Sequence, residues 1–387
     1  MSSTIRNRKT LKATGGYLQI ERYTEAHIPQ VCAFNERLGQ SGSSFRFSTL
    51  PSKQEAFVGR ENRIRQEDFV LLDKAGVIRG AYTLVFQRFL VGGVPEEVAF
   101  LQIPISEGTV NRSLAAVGAV LLRDALQRSP LLFGLGMGGI DRPLPKLFGV
   151  LGASMFEVPF FFRVVHPRAF LRHATALRTR WLVRVCGGIA AETGAGAVAF
   201  ALLNRLRSRN AVPKRDLRVE SAASFREAAD EIWNAAAPKY SCISVRDSET
   251  LSYLYALNDS RYHRLVVHQH NSLVGWALVT DSQMRSHNHF GDMRVGAIVN
   301  CLARPDSEAA VVASASYYLQ SRGVDLIVSN QFHPDWASAL SRAGYLSYRS
   351  NFALALAPAL SAKIKTQDPL FQRIHMNRGD GDGAYNL

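Results

Sequence analysis

The feature that most constrains this chain is an internal repeat. Residues 70–84 (VLLDKAGVIRGAYTL) align without a gap with residues 265–279 (LVVHQHNSLVGWALV), at an offset of 195 positions. Both segments predict a strand, a polar turn and a second strand, with Gly80 and Gly275 at the same place after the turn. The repeat favours two halves of one α/β unit over the alternative of two unrelated α/β halves.

The rest of each half follows the same order of elements. The offset stays between 191 and 197 across them. The pairs are an apolar strand (98–106 and 295–303), a helix (112–127 and 307–322), a short strand (131–137 and 324–330), a helix ending at glycine (Gly152 and Gly344) and an apolar run stopping at proline (160–167 and 352–358).

These patterns divide the chain into four predicted segments. We expect an N-terminal domain at 16–167, a connector at 168–218 and a C-terminal domain at 219–361. Residues 362–387 carry no apolar period, so we expect a mobile tail there.

The positive charge of the chain is confined to two stretches. The net charge is +14. Residues 1–15 contribute four basic side chains and no acid, and residues 163–218 contribute twelve basic side chains against Glu192 and Asp216. The remainder is neutral, whereas a nucleic-acid enzyme spreads basic residues over a binding face. Nucleic acid is therefore a disfavoured partner.

The basic middle of the chain predicts a connector with one of two roles. Phe170, Leu177 and Trp181 fall at helical spacing, with arginines on another side, and a Gly-rich apolar stretch follows at 185–203. Residues 168–215 suit either an anionic membrane surface or a helical connector packed between the domains. With no apolar run behind the basic N-terminus, the expected location is cytoplasmic, with a peripheral place at the inner leaflet of the membrane as the alternative.

The order of elements in each half resembles the GNAT acyltransferase fold. This resemblance implies an α/β protein of two tandem GNAT-like domains, each a mixed sheet with helices on both faces, joined by the basic helical connector. In that family, the loop before a helix holds the pyrophosphate of acyl-CoA through its backbone amides, at a Gln/Arg-x-x-Gly-x-Gly/Ala pattern. The matching stretch here has alanine and valine where glycines are usual, and its cofactor-binding candidates are Arg112, Ser113, Leu114, Ala115, Ala116 and Val117.

The second half matches this pattern less well. Residues 306–311 contain no glycine and place Asp306 and Glu308 where phosphates would lie. Carboxylates beside a pyrophosphate oppose its binding. We therefore expect any acyl-CoA, either acetyl-CoA or a longer acyl-CoA, to bind the first half.

The resemblance also implies where the chemistry of the first half would lie. A GNAT base is often a carboxylate near the fourth strand, and Glu107 follows that strand here, although a helix N-terminal charge explains the same residue. Gly136 and Gly138 close the next strand and are candidates to line the pantetheine arm, the alternative being a tight turn.

Polar side chains in the second half mark candidate acceptor ligands. Asn300, Asn330 and His333 fall at predicted strand ends, where α/β sheets bind ligands, although such groups also satisfy local backbone. His287 and His289 have no acid or cysteine at ligand spacing, and the four cysteines lie far apart, so no metal is expected.

Residues 158–167 and 170–203 further resemble tandem-GNAT proteins found with bacterial exopolysaccharide and cell-envelope biosynthesis. The function so implied is an acyl-CoA-dependent N- or O-acyltransferase acting on a small-molecule or lipid-linked acceptor, such as an amino sugar, a glycolipid or another envelope precursor. The alternative is a catalytically degenerate GNAT-fold scaffold of a membrane-associated biosynthetic complex.

Overall fold

The computed structural model divides the chain into two compact units. It describes residues 9–13, 16–52, 55–58, 62–173, 212, 214–364 and 373–381. Unit 1 takes its described residues from Met1–Phe89, Pro95–Glu157 and Ala353–Thr366. Unit 2 takes its described residues from Leu90–Val94, Val158–Phe352 and Gln367–Leu387.

Unit 1 is a mixed sheet with helices on both faces. Its strands are β1 (Lys9–Ala13), β2 (Gly16–Arg22), β3 (Glu55–Val58), β4 (Asn62–Leu72), β5 (Ile78–Val91, whose last two residues fall in unit 2), β6 (Val94–Ser106), β7 (Leu132–Met137), β8 (Ser154–Glu157) and β17 (Phe352–Leu356). Its helices are α1 (Ile28–Gln40), α2 (Ala116–Arg128), α3 (Pro143–Val150) and α9 (Pro358–Ile364).

The order of these strands puts one parallel pair inside the sheet of unit 1. The order is β1-β2-β4-β5-β6-β7-β17-β8, with β3 on β4. Strands β6 and β7 are parallel, with Ala99 opposite Leu132, whereas β4 and β5 are antiparallel. One face packs on α1 through Val31 and Phe34, and the other packs on α2 through Leu121.

Unit 2 is built in the same way. Its strands are β9 (Phe160–Val164), β10 (Leu217–Ala222), β11 (Cys242–Ser244), β12 (Tyr262–Gln269), β13 (Ser272–Gln283), β14 (Arg294–Ala303), β15 (Leu326–Asn330), β16 (Leu346–Tyr348) and β18 (Ile374–His375). Its helices are α4 (Pro167–His173), α5 (Arg226–Ala236), α6 (Ser248–Leu254), α7 (Glu308–Ser321) and α8 (Pro334–Arg342).

The main sheet of unit 2 runs in the order β10-β12-β13-β14-β15-β9-β16. Strands β14 and β15 are parallel, with Val295 opposite Leu326, and β12, β13 and β14 are antiparallel neighbours. Helix α5 covers one face through Ile232, and α7 and α8 cover the other through Val311 and Trp336. Two mixed sheets with helices on both faces are the architecture predicted from the sequence.

The packing of one helix on one glycine is the same in both units. A Cβ on Gly80 would lie 2.9 Å from Val117 Cγ1 and 3.1 Å from the carbonyl oxygen of Ile105. A Cβ on Gly275 would overlap Val311 and lie 2.6 Å from the carbonyl oxygen of Leu302. The aligned glycines of the sequence repeat therefore lie directly beneath α2 and α7.

The last apolar run of each half joins the sheet of the other unit. Strand β9 lies between β15 and β16 in unit 2, antiparallel to both. Strand β17 lies between β7 and β8 in unit 1. The units accordingly begin and end at other residues than the predicted boundaries at 167, 219 and 361. Both runs are apolar strands followed by proline, so their pattern does not distinguish one sheet from the other.

The structure describes part of the predicted tail but little of the predicted connector. Residues 373–381, part of the tail expected to be mobile, are ordered in unit 2: β18 pairs in parallel with β11, and Ile374 and Met376 are fully buried. The connector predicted at 168–218 lies for the most part outside the described residues. Within the part of the chain that is described, no helix has both the length and the apolar character to span a membrane.

Candidate functional site

The stretch predicted to hold the donor is a short loop in unit 1. Strand β6 ends at Ser106, whose Oγ accepts from the amide of Gly108 at 3.0 Å. Two 3₁₀ turns follow, at Glu107–Thr109 and Arg112–Leu114, and α2 begins at Ala116. We call residues 107–115 the donor loop.

Most candidate residues of the donor loop face solvent. Arg112, Ser113, Ala115 and Ala116 are exposed, and the first turn of α2 carries no acid. Leu114 is half-buried, and the side chain of Val117 is buried against Gly80. Small exposed residues at a helix N-terminus let an anion approach the backbone amides.

The loop is held in shape by its own side chains. The Oδ1 of Asn111 accepts from the amide of Ser113 at 3.1 Å and from its hydroxyl at 2.8 Å. Gly108 packs against the carbonyl group of Leu114, where a Cβ would lie 2.5 Å from the oxygen. A side chain at residue 108 would therefore force the two 3₁₀ turns apart.

Glu107, the candidate base, lies at the start of the donor loop with both carboxylate oxygens engaged. Its side chain is buried, Oε1 accepts from Arg37 Nε at 2.6 Å, and Oε2 accepts from Arg79 Nη1 at 2.8 Å. The hydrogen bond to Glu107 is the main cause of a raised pKa at Arg79. The role of Glu107 as a base stays a prediction, and these contacts favour a structural role.

The candidate glycines lie where β7 ends. Gly136 and Gly138 have φ angles of +100° and +78°, and the amide of Gly138 donates to the carbonyl oxygen of Gly136 in a tight turn. Since β6 and β7 are parallel, the turn and the donor loop follow the carboxyl ends of neighbouring strands. That edge of the sheet is where α/β proteins place ligands.

The three acceptor candidates of unit 2 are all buried and all bonded to their own chain. Asn300 donates to Tyr255 Oη at 3.1 Å and accepts from Asn377 Nδ2 at 3.0 Å. Asn330 Nδ2 donates to the carbonyl oxygen of Pro159 at 3.4 Å. The structure thus gives these side chains partners within unit 2, and acceptor binding by them stays a prediction.

His333 caps the N-terminus of α8. Its Nδ1 accepts from the amide of Asp335 at 3.2 Å, while its Nε2 is buried without a hydrogen-bond partner among the described residues. Burial lowers the pKa of His333 to about 4, so the ring is neutral at pH 7. With Nδ1 as the acceptor, the proton of that neutral ring lies on Nε2.

Sequence reasoning missed the contribution of residues 373–381 to this cluster. The amide of Phe332 donates to the carbonyl oxygen of Met376 at 3.0 Å, and Gln331 forms a β-bridge with Asn377. His375 is fully buried, and burial together with the charge of Arg246 lowers its pKa well below the usual range. The polar sequence of the tail gave no periodic signal of this burial.

A buried ion pair fastens the same segment. Arg246 Nη2 donates to Asp380 Oδ2 at 2.8 Å, and Ser244 Oγ donates to Asp380 Oδ1 at 2.6 Å. Arg246 also donates to the carbonyl oxygen of Cys301 at 3.1 Å. Both charged side chains are almost completely buried, so each depends on the other.

The helix of unit 2 that matches α2 begins with a carboxylate. Glu308 is the first residue of α7 and is buried, and Lys239 Nζ donates to its Oε1 at 2.8 Å. Lys239 also pairs with Asp335 at 2.7 Å. Although burial opposes it, these two partners raise the pKa of Lys239. The N-terminus of α7 therefore already has an anion, supplied by its own chain.

Comparisons with known proteins identify the fold. No protein-family model matches the sequence, and no curated protein matches it. Two crystal structures of Saccharomyces cerevisiae N-myristoyltransferase with bound myristoyl-CoA are similar in structure, at TM-scores of 0.52 and 0.51 and sequence identities of 10% and 9%. The alignments cover 90% of this chain in both cases, and 81% and 83% of the other chain. A GCN5-related N-acetyltransferase from Anabaena variabilis aligns at a TM-score of 0.48, with 9% identity over 87% of this chain and 72% of the other.

At these identities the likeness to N-myristoyltransferase shows the fold. The chain has the GNAT-like acyltransferase fold expected from its order of elements, with two mixed sheets and helices on both faces.

Proposed function

We propose that this chain is an acyl-CoA-dependent N-acyltransferase whose donor binds unit 1 at the donor loop. The observation that carries the proposal is the contrast between two matching helices. Helix α2 begins with exposed small residues and no acid, whereas α7 begins with the buried Glu308. Only the first arrangement suits a pyrophosphate.

The fold supports the identity of the donor. The yeast N-myristoyltransferase that this chain resembles was crystallised with bound myristoyl-CoA. In unit 1, Arg112 adds an exposed cation at the start of the second 3₁₀ turn, and Ser113, Ala115 and Ala116 leave the backbone accessible. The turn at Gly136 and Gly138 follows the neighbouring parallel strand, which suits the pantetheine arm.

In unit 2, a segment of the chain itself lies at the carboxyl ends of β14 and β15, the strands that match β6 and β7. Strands β14 and β15 pair as far as Ile298 and Ser329. Beyond that register, Asn377 bonds to Asn300 from one strand and bridges to Gln331, which follows the other. Residues 373–381 thus lie between the carboxyl ends of the two strands, which is further support for a single donor site, in unit 1.

The proposed reaction is direct acyl transfer to an amine. The amine nitrogen attacks the thioester carbonyl carbon, the C–N bond forms, and the C–S bond breaks to release CoA. One proton lost by the amine is balanced by one gained by the CoA thiolate. The donor loop contributes by binding and orienting the donor, which makes the attack effectively unimolecular.

The acceptor and the location extend the proposal. An amino sugar, a glycolipid or another envelope precursor is the proposed acceptor, on the resemblance of residues 158–167 and 170–203. Residues 168–215 are proposed to hold the protein at an anionic membrane surface, supported by their arginine content.

Calorimetric titration with acetyl-CoA, myristoyl-CoA and free CoA tests the proposal. We expect one donor bound per chain, and binding weakened about tenfold or more in Ala116→Glu, which puts a carboxylate at the first residue of α2, as Glu308 is the first residue of α7. Gln127→Glu is the matched control, because residue 127 is exposed on the same helix about 16 Å away.

The outcomes of this titration separate the two proposed functions. Screening beyond a Debye length of about 8 Å should leave donor binding by Gln127→Glu at the wild-type level. Wild-type protein that binds none of the three ligands would overturn the acyltransferase proposal and leave the non-catalytic scaffold. Equal binding by wild type and Ala116→Glu would show that the donor does not bind at the N-terminus of α2.

A further inference from the structure

We infer that Glu107 is a positioning residue that fixes the donor loop for acyl-CoA, and that it is not the base of the reaction. This inference rests on the proposed function. It starts from the place of Glu107, which is the first residue of the donor loop and the last buried residue before the exposed Arg112 and Ser113.

Both oxygens of the Glu107 carboxylate are held by arginines of the same unit. One oxygen accepts from Arg37 and the other from Arg79, and the side chain is 6% exposed. Hydrogen bonds between charged groups are about twice as strong as neutral ones. A substrate amine would have to reach a buried carboxylate that already lies between two guanidinium groups.

The two arginines connect the donor loop to the rest of unit 1. Arg37 lies on α1 and also donates to the carbonyl oxygen of Ile78 at 2.7 Å. Arg79 lies on β5 and also donates through Nε to Asp73 at 2.8 Å. The carboxylate therefore ties the donor loop to α1 and to the β4–β5 hairpin at once.

The backbone of Glu107 transmits this anchorage into the loop. Its carbonyl oxygen accepts from the amides of Val110 at 3.0 Å and Asn111 at 2.8 Å. Asn111 in turn holds Ser113 through its side chain. An unbroken series of hydrogen bonds thus runs from Arg37 and Arg79 through Glu107 to the exposed residues of the loop, and it sets the position of the loop.

Donor binding distinguishes positioning from base catalysis, because a base does not contribute to holding CoA in the ground state. We expect Glu107→Gln and Arg79→Gln each to weaken binding of free CoA by about 10- to 100-fold, since a hydrogen bond to a charged group is worth a factor of about this size. Arg79→Lys keeps the charge and should recover most of the affinity. Glu97→Gln is the matched control, because Glu97 pairs with Arg65 in the same unit and is not in the loop.

Thermal unfolding of each variant separates positioning from a loss of fold. If Glu107→Gln does not fold, CoA binding by Arg79→Gln and Arg79→Lys tests the inference instead. Arg79 is partly exposed, so these substitutions should disturb the fold less. Unchanged affinity for CoA in folded Glu107→Gln or Arg79→Gln would overturn the inference. Wild-type protein that binds no CoA would instead overturn the proposed function, so the two failures are distinct.

Discussion

At the residue scale, two glycines are the most informative positions, because a helix packs where their side chains would otherwise lie. Gly80 and Gly275 bring α2 and α7 against the strands beneath them, with Val117 and Val311 filling the space that a Cβ would need. The equivalence of the two contacts explains why the glycine is the best-aligned position of the repeat. A helix placed closer to the sheet also brings its N-terminus to the strand ends that carry the candidate site.

Substitution of Gly275 should therefore destabilise unit 2. Its Cβ in Gly275→Ala would meet the backbone at Leu302 as well as Val311, and overpacking of this kind costs about 1–3 kcal/mol. Urea unfolding would measure the change in the free energy of unfolding. Gly149→Ala is the control: no atom lies within 4 Å of its added Cβ, and alanine favours helix, so stability should be unchanged or slightly higher. Equal effects of the two substitutions would contradict the packing argument.

At the scale of elements, short segments decide which unit a stretch of chain belongs to. Strands β9 and β17 have the same apolar pattern, yet each pairs in the sheet of the unit that contains mainly the other half of the sequence. Strand β18 is only two residues long and depends on side chains rather than on its own pairing. The Arg246–Asp380 pair is the strongest of these attachments because both groups are buried.

Breaking that pair should release residues 373–381. Asp380→Asn leaves Arg246 charged and buried without its partner, and losses of this kind cost about 3–5 kcal/mol. Urea unfolding would report the loss, and hydrogen exchange at Met376 and Asn377 would report the release.

The control for this prediction is an exposed pair in the same unit. Asp259→Asn removes the charge of one ion pair, that with the exposed Arg261, and should cost about 1 kcal/mol or less. If Asp380→Asn and Asp259→Asn were equally stable, the buried pair would not be what holds the segment.

At the scale of the whole molecule, the two units have the same fold but differ in what lies at the N-terminus of the matching helices, α2 and α7. The N-terminus of α2 is open in unit 1, whereas an acid, a lysine and residues 373–381 take the matching place in unit 2. In unit 2, side chains of the protein itself occupy the place that is open in unit 1. A repeat in sequence therefore need not give two donor sites.

The membrane proposal is also a whole-molecule prediction. Substituting Arg178, Arg180 and Arg184 with Gln should shift the protein from floating with anionic phosphatidylglycerol vesicles to the soluble fraction, at about 1 kcal/mol per charge. The matched control replaces three exposed arginines of unit 1, Arg22, Arg46 and Arg123, and should float like wild type. Equal recovery of all three proteins would leave a packed connector as the role of this stretch.

The sequence by itself determined the fold class and the equivalence of the halves. Periodicity, the aligned glycines and the glycine-terminated helices are local signals, and Gly152 and Gly344 do have positive φ angles after α3 and α8. The position of the donor loop was expected from the resemblance that this order of elements carries, and its role in binding a donor stays a prediction.

Only the tertiary structure decided which strand joins which sheet, that residues 373–381 are buried, and that Glu107 has two arginine partners. Each depends on groups far apart in sequence: Glu107 lies 70 residues from Arg37, and Asp380 lies 134 residues from Arg246. A pattern of local hydrophobicity carries no record of such contacts, because the energy of a buried charge is set by the partner that folding brings to it.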